Sequence, residues 1–482
     1  MKSIIKFFPF YLFIISLLVL FYTLYRSEII WDGVQRYYYS KYYFLSITLA
    51  VLSFITYKLS YKLKSYLVIL ILTSISVLYL SELYLIITNE LNFYTNEKFQ
   101  KEQLSIEKNK NYKREKKINK YELYLSTTGK NYDRRSNYEI YNDLKKINPL
   151  VSMVVPPSLY LEGDKIDRTI NKKLFPLSGK SNSMTIFCNE NGYFSIFKSD
   201  RYGFNNPDYI WDKEINYILI GDSFVHGACV NRPNDIASKL RDITNENVLN
   251  LGYSGNGPLI QYATIKEYFK KETKHLVWFF YERNDLGELE NEKTSSILSN
   301  YIKDNNFNQN LVDKQNIINE LSDNFIIIEE EKIKMNNSQN KKISNESKDK
   351  QIKKKRVADF QNLLTIKFLK IYHLRKLLLK GDEIDFEKII SSVKDFSIQN
   401  NTKLYFVYLP EYRRYSQKSF DNNRYVKIKK LIKKLNINFI DIHQEFSKSG
   451  DPLQFFPFRV GGHYNIKGYE LIANKLSEVS KN

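Results

Sequence analysis

Three uncharged runs open the chain: Phe7 to Tyr25, Tyr42 to Tyr57, and Ser65 to Ser81, the last continuing apolar past Glu82 to Thr88. A bilayer core about 30 Å thick needs roughly 17–25 largely apolar residues per helix. The pattern therefore predicts three transmembrane helices within residues 1–88, the second short and dependent on Tyr and Lys flanks. A cleaved signal peptide fits the first run poorly, because the run is long and aromatic and lacks a small-residue cleavage site.

After the last run the pattern changes twice. Residues 89–120 are charged, with nine Lys/Arg between Lys98 and Lys120, and read as a basic tether. Residues 121–210 mix Tyr, Asn, Pro and Gly with short apolar runs such as Leu150 to Val155, and read as an accessory region with a hairpin or strand pair across Phe187 to Phe204. Residues 211–482 then alternate apolar strands with amphipathic helices. The strands are expected at Tyr217–Ile220, Val248–Leu251, His275–Tyr281, Leu404–Leu409 and Ile437–Ile440, with helices at Pro233–Ile243 and Pro258–Lys270. Strands separated by helices imply an α/β domain with a parallel sheet covered on both faces. Functional groups should gather at the C-terminal ends of its strands. An insert at about 287–356, rich in Asn, Lys, Glu, Ser and Ile, reads as low-complexity solvated surface, including its basic run Lys353 to Arg356.

Charge adds a partner class. The formal net charge of the 482 residues is +20, which suits anionic lipid or polysaccharide. Nucleic acid is set aside, because the basic residues sit in low-complexity tracts with no zinc-finger or RNA-binding signature. Lys2 and Lys6 before the first run, and Lys58, Lys62 and Lys64 between the second and third, place those segments in the cytoplasm and the C-terminal domain outside a cell membrane. Two cysteines, Cys188 and Cys229, are either buried free thiols or a disulfide, and the latter would fit an oxidising compartment.

The chemistry lies at the strand ends. Gly221-Asp222-Ser223 closes the first strand and puts a hydroxyl at the sheet edge, leading into a helix start that favours negative charge. Asn250 to Gly255 closes the second, where Gly255 can offer an unobstructed N–H. Asn284-Asp285 follows the third, and His463 stands just before the last helix. A serine with a histidine base, and amide donors from Ser223, Gly255 and Asn284 as an oxyanion hole, are the parts of acyl-ester chemistry. No cofactor is called for. No metal is either: Asp441 and His443 lack a clear third ligand, and His275 and His373 show no ligand pattern. His226, close to Ser223, is a pocket-lining candidate.

In these four blocks the chain resembles the SGNH hydrolases, or GDSL family, over roughly Tyr217 to Leu476. The resemblance implies a three-layer α/β/α, flavodoxin-like fold acting on esters, often acetyl esters of carbohydrates, with membrane-tethered relatives that remodel envelope polysaccharide. It assigns Ser223 as nucleophile, His463 as base, and Gly255 and Asn284 to the oxyanion hole. Two departures stand out. Arg283 occupies the place of a small residue before Asn284, and Val460 stands three residues before His463 where the family has an orienting Asp. A backbone carbonyl, Asp441, Asp451 or another carboxylate must then orient His463. The expected function is a membrane-anchored serine esterase acting on acylated carbohydrate. Its rivals are an O-acyltransferase fed by an acyl-donor membrane protein, and a non-catalytic glycan-binding or assembly protein.

Overall fold

A computed structural model describes residues 2–30, 36–86, 120–161, 174–340, 385–417 and 420–479. The chain divides into two compact units, Met1–Lys117 with Met335–Glu383, and Ile118–Lys334 with Ile384–Asn482. The expected tether falls almost wholly outside the described residues, as do Lys353 to Arg356 and His373.

The first unit contains the helices Lys2–Leu24, Arg36–Tyr57 and Tyr61–Ile86. Among the described residues, two helical stretches are long and apolar enough to cross a membrane: Ile5–Ile29, with mean hydropathy 2.2, and Tyr61–Leu85, with mean hydropathy 2.0. The expectation of three such helices is therefore corrected to two. Only sixteen uncharged residues separate Lys41 from Lys58, fewer than a span requires, and hydroxyl groups interrupt them. Helix Arg36–Tyr57 uses those hydroxyls against the first helix. Ser46 Oγ donates to the Ser16 carbonyl at 3.2 Å and Ser53 Oγ to the Pro9 carbonyl at 2.8 Å.

The second unit is built on five parallel strands: β4 (Tyr217–Ile220), β5 (Val248–Asn250), β6 (His275–Tyr281), β7 (Lys403–Leu409) and β8 (Asn438–Asp441). Their order across the sheet is β5-β4-β6-β7-β8. Chain direction across the sheet reverses between β4 and β6, and the crevice beyond the carboxyl ends at such a reversal is where ligands bind in open α/β sheets. The strands read as continuous apolar runs because both faces are covered; Ile218, Leu219, Trp278, Phe406 and Val407 are all fully buried.

Helix starts follow capping chemistry. Asp235 caps Ile236–Thr244 by accepting the Ser238 N–H at 3.0 Å. Helix Pro258–Tyr268 opens on Pro, and the buried Glu292 carboxyl accepts the N–H groups of Gly257 and Leu259 at its start. A smaller sheet precedes the large one: β1 (Val151–Met153) pairs parallel with β2 (Met184–Ile186), which pairs antiparallel with β3 (Ile196–Lys198). The expected strand pair is thus present with its strands at 184–186 and 196–198, and residues 187–195 form the turn between them.

The described part of the expected insert differs from a solvated surface. It folds into helices Asp285–Glu292, Ser296–Lys303 and Gln315–Asn340. Leu289, Leu298, Tyr301, Leu311 and Ile318 are buried. Composition hid this because the apolar positions are spaced one per turn among many Asn, Lys and Glu.

Candidate active site

β4 runs straight into Gly221-Asp222 and a one-turn helix, Ser223–His226. Asp222 caps that turn by accepting the Phe224 N–H at 2.9 Å, and Gly227, at φ 85°, ends it. Ser223 takes the first helical position, where its own N–H has no intrahelical acceptor and stays available to an anion. Ser223 Oγ lies 2.8 Å from His463 Nε2.

His463 arrives from the far end of the chain on Gly461-Gly462, whose φ values of 102° and 106° suit only glycine. A Cβ on Gly462 would also collide with the Glu190 carboxylate. That carboxylate grips His463 twice. Its Oε2 accepts the His463 backbone N–H at 2.6 Å, and its Oε1 lies 3.1 Å from Nδ1. An ionised carboxylate at Nδ1 keeps the proton there, so Nε2 carries the free lone pair facing Ser223. Burial alone would raise the Glu190 pKa, but the hydrogen bonds and charge of His463 outweigh it and hold the carboxyl below its usual 4.5.

Glu190 is the residue that reading the sequence missed, and it replaces the carboxylates suggested there. Asp441 is engaged by Tyr425 and Lys429 and caps the next helix at Gln444 N. Asp451 pairs with Arg459. Val460 is 41% exposed at the surface. The trace of Glu190 in the sequence is its place two residues after Cys188. The structure joins Cys188 to Cys229 in a disulfide with 4.9 Å between Cα atoms, and Cys229 stands six residues beyond Ser223.

The two other residues expected as donors, Gly255 and Asn284, sit on further loops of the unit. The β5 loop packs on the serine turn: Tyr253 N donates to the Gly221 carbonyl and Ser254 N to His226 Nδ1 at 3.2 Å. Gly255 follows at φ 75°, and a Cβ there would strike Ser158 and Pro156. Asn284 opens the helix after β6. Its Nδ2 donates to Glu288 Oε1 at 2.7 Å, its carboxamide lies beside the Asp222 carboxyl, and its Oδ1 is buried without a partner. One Asn284 N–H is thus committed to Glu288 in the resting arrangement. Arg283, before it, is exposed, with its carbonyl accepting from Arg424 at 3.1 Å.

This side of the site is rich in carboxyls. Burial, then mutual repulsion, pushes Glu288 up to about 7 and Asp285 well above the usual range. Burial likewise raises Asp222 to about 6 and Glu292 to about 8. Near neutral pH Glu292 is thus mainly protonated and Glu288 about half so, while Asp222, beside Ser223, is mainly ionised.

His226 is fully buried, stacked on Tyr253 at 4.3 Å and Phe187 at 4.5 Å, and burial lowers its pKa to about 3. It braces the Ser254 amide as a neutral imidazole. His275 lies against Tyr217 at 4.6 Å, and His443 Nδ1 is 2.9 Å from the Tyr415 hydroxyl. Among the described residues, Glu190, Cys229 and His463 bring potential ligand atoms within 4.8 Å of one another. A sulfur bonded to Cys188 is not the thiolate that metals take.

No protein-family profile and no curated protein matches the chain. Among solved structures, a G-D-S-L-family protein from Desulfitobacterium hafniense DCB-2, described as lipolytic, aligns at 13% identity over 55% of this chain and 98% of its own, with a TM-score of 0.28. So low a score carries no weight for the function of this chain.

Proposed function

We propose that the protein is a membrane-anchored serine esterase of the SGNH type, cleaving O-acyl, chiefly acetyl, esters of envelope carbohydrate outside the cytoplasm. The observation that carries this reading is the relay Ser223 Oγ, His463 Nε2, His463 Nδ1, Glu190 Oε1, with spacings of 2.8 and 3.1 Å. Ser223 attacks the ester carbonyl while His463 takes its proton, and Glu190 holds the imidazole and offsets its positive charge. The amides of Ser223 and Gly255 and the second N–H of Asn284 receive the oxyanion. His463 then gives its proton to the leaving sugar oxygen as the C–O bond breaks, and water activated by His463 releases the acid from Ser223. A glycan-binding protein that merely kept the fold draws support from Arg283 and from the absent Asp, and Glu190 removes the second of these reasons. The two apolar helices support the anchor, and the disulfide supports an oxidising compartment. A serine-directed fluorophosphonate with mass-spectrometric site mapping tests the reading. Labelling at Ser223 and loss of acetyl-ester hydrolysis in Ser223→Ala are expected, and an unlabelled Ser223 refutes it.

A further inference from the structure

The acid of this site enters from outside the large sheet. Glu190 sits in the turn between β2 and β3 of the small sheet, 273 positions from His463 in the chain. The turn is fastened to the serine segment at two neighbouring points. Cys188 is bonded to Cys229, and Asn191 Nδ2 donates to the Cys229 carbonyl at 2.8 Å. Cys229 itself is fully buried, at φ 61°, two residues past the glycine that ends the serine turn. Its sulfur lies within 4.8 Å of ligand atoms of both Glu190 and His463. One covalent bond therefore spans the space between the residue that attacks and the residue that orients its base.

We infer that the Cys188–Cys229 disulfide is a positioning element of the active site, keeping Glu190 seated on His463; this rests on the esterase reading for its catalytic consequence. Hydrogen bonds hold only while donor and acceptor stay within reach of each other. The grip of Glu190 on His463 then depends on how tightly its turn is held. A covalent tie two residues away restricts the turn more tightly than its hydrogen bonds through Asn191, Asn189, Tyr132 and Asn137. Reduction takes two electrons and two protons: the S–S bond breaks, two S–H bonds form, and a dithiol such as dithiothreitol closes into its own disulfide. Cys188 is partly exposed, whereas Cys229 is fully buried.

The test uses the full chain in detergent micelles, as oxidised and dithiothreitol-reduced wild type, with thiol counting to verify two free sulfhydryls. The same pair of states is prepared for Glu190→Ala, and a Cys188→Ser/Cys229→Ser variant, checked for folding by circular dichroism, serves where the buried bond resists reduction. Two readouts are followed: kcat and KM on a small acetyl ester, and the downfield Nδ1–H proton resonance of a histidine bonded to a carboxylate. Breaking the bond is expected to lower kcat about tenfold or more with KM held, and to abolish the resonance. In Glu190→Ala, breaking it should change kcat less than about twofold, because the effect runs through the missing carboxylate. Unchanged kcat and resonance after verified bond cleavage overturn the inference, as does an equal loss in wild type and Glu190→Ala. Fluorophosphonate labelling separates the two readings. If Ser223 resists the label while the resonance still vanishes on reduction, the esterase reading falls and the seating of Glu190 by the disulfide stands.

Discussion

Glu190 touches both the main chain and the ring of His463, so its loss affects where the imidazole sits and which nitrogen holds the proton. Replacing the triad acid by its amide in a serine protease costs about 10⁴ in kcat through the wrong tautomer. Glu190→Gln is accordingly expected to lower kcat by about 10²–10⁴ with little change in KM, as steady-state kinetics on a small acetyl ester will measure. Asn284→Ala should cost about 10²–10³ in kcat if its second N–H meets the oxyanion. The pH range over which Glu190 holds His463 follows from the sign of the Glu190 shift. A carboxyl held below 4.5 in the fold contributes stability present above that value and lost as pH falls through the lower, folded value. The Glu190 carboxylate should therefore stay ionised, and keep its hold on His463, down to below pH 4.5. Ser223 and His463 stand out in the sequence because each lies in a short block at a strand or helix end. Glu190 does not, since a carboxylate 273 positions from its partner shares no local pattern with it.

Strands were the most legible elements. The run Tyr217 to Ile220 and the run His275 to Tyr281 coincide with β4 and β6, and the other three differ by a residue or so at their ends. Double-faced burial makes such runs apolar throughout, which no surface segment imitates. Helix Asp285–Glu292 was the opposite case, since its Glu288 and Glu292 read as solvated when they are in fact packed against Asn284 and the Pro258 helix start. These buried acids set a pH dependence of their own. Each is protonated in the fold but ionised in the unfolded chain between about pH 4.5 and its raised pKa, so the native state binds more protons there and stability falls as pH rises. Glu288→Gln keeps an acceptor for Asn284 while removing one such group. For a carboxyl pushed to about 7, the variant should recover about 2 kcal/mol of the stability that wild type loses between pH 5 and 8. Thermal unfolding of both proteins across that range measures it. An equal fall in the two would show that Glu288 is not one of the protonated groups.

At the scale of the whole chain, the proposed anchoring raises the question of which side of a membrane holds the Ser223 unit. Helix Tyr61–Ile86 separates two chemically different stretches, and Tyr61–Leu85 within it is long and apolar enough to cross a bilayer. Before and within its first turn stand Lys58, Lys62 and Lys64, a short basic loop of the kind that stays in the cytoplasm. After it comes the unit with the disulfide, which persists in oxidising compartments and is rare in the cytosol. One crossing by this helix satisfies both constraints, whatever the first two helices do. The high positive charge of the intervening tether does not oppose this strongly, because long domains are translocated largely regardless of charge. The disulfide also makes the test clean, since Cys188 and Cys229 are the chain's two cysteines and both are bonded to each other. A thiol introduced at Ser60 would then be the free one. In intact cells stripped of any outer wall, a membrane-impermeant maleimide should leave Ser60→Cys unlabelled and label it after lysis. A fluorescent reporter that fluoresces only in the cytoplasm, fused after Asn482, should stay dark. Labelling of Ser60→Cys before lysis together with a bright fusion would put the Ser223 unit inside, where the Cys188–Cys229 bond would be reduced and the seating of Glu190 lost with it.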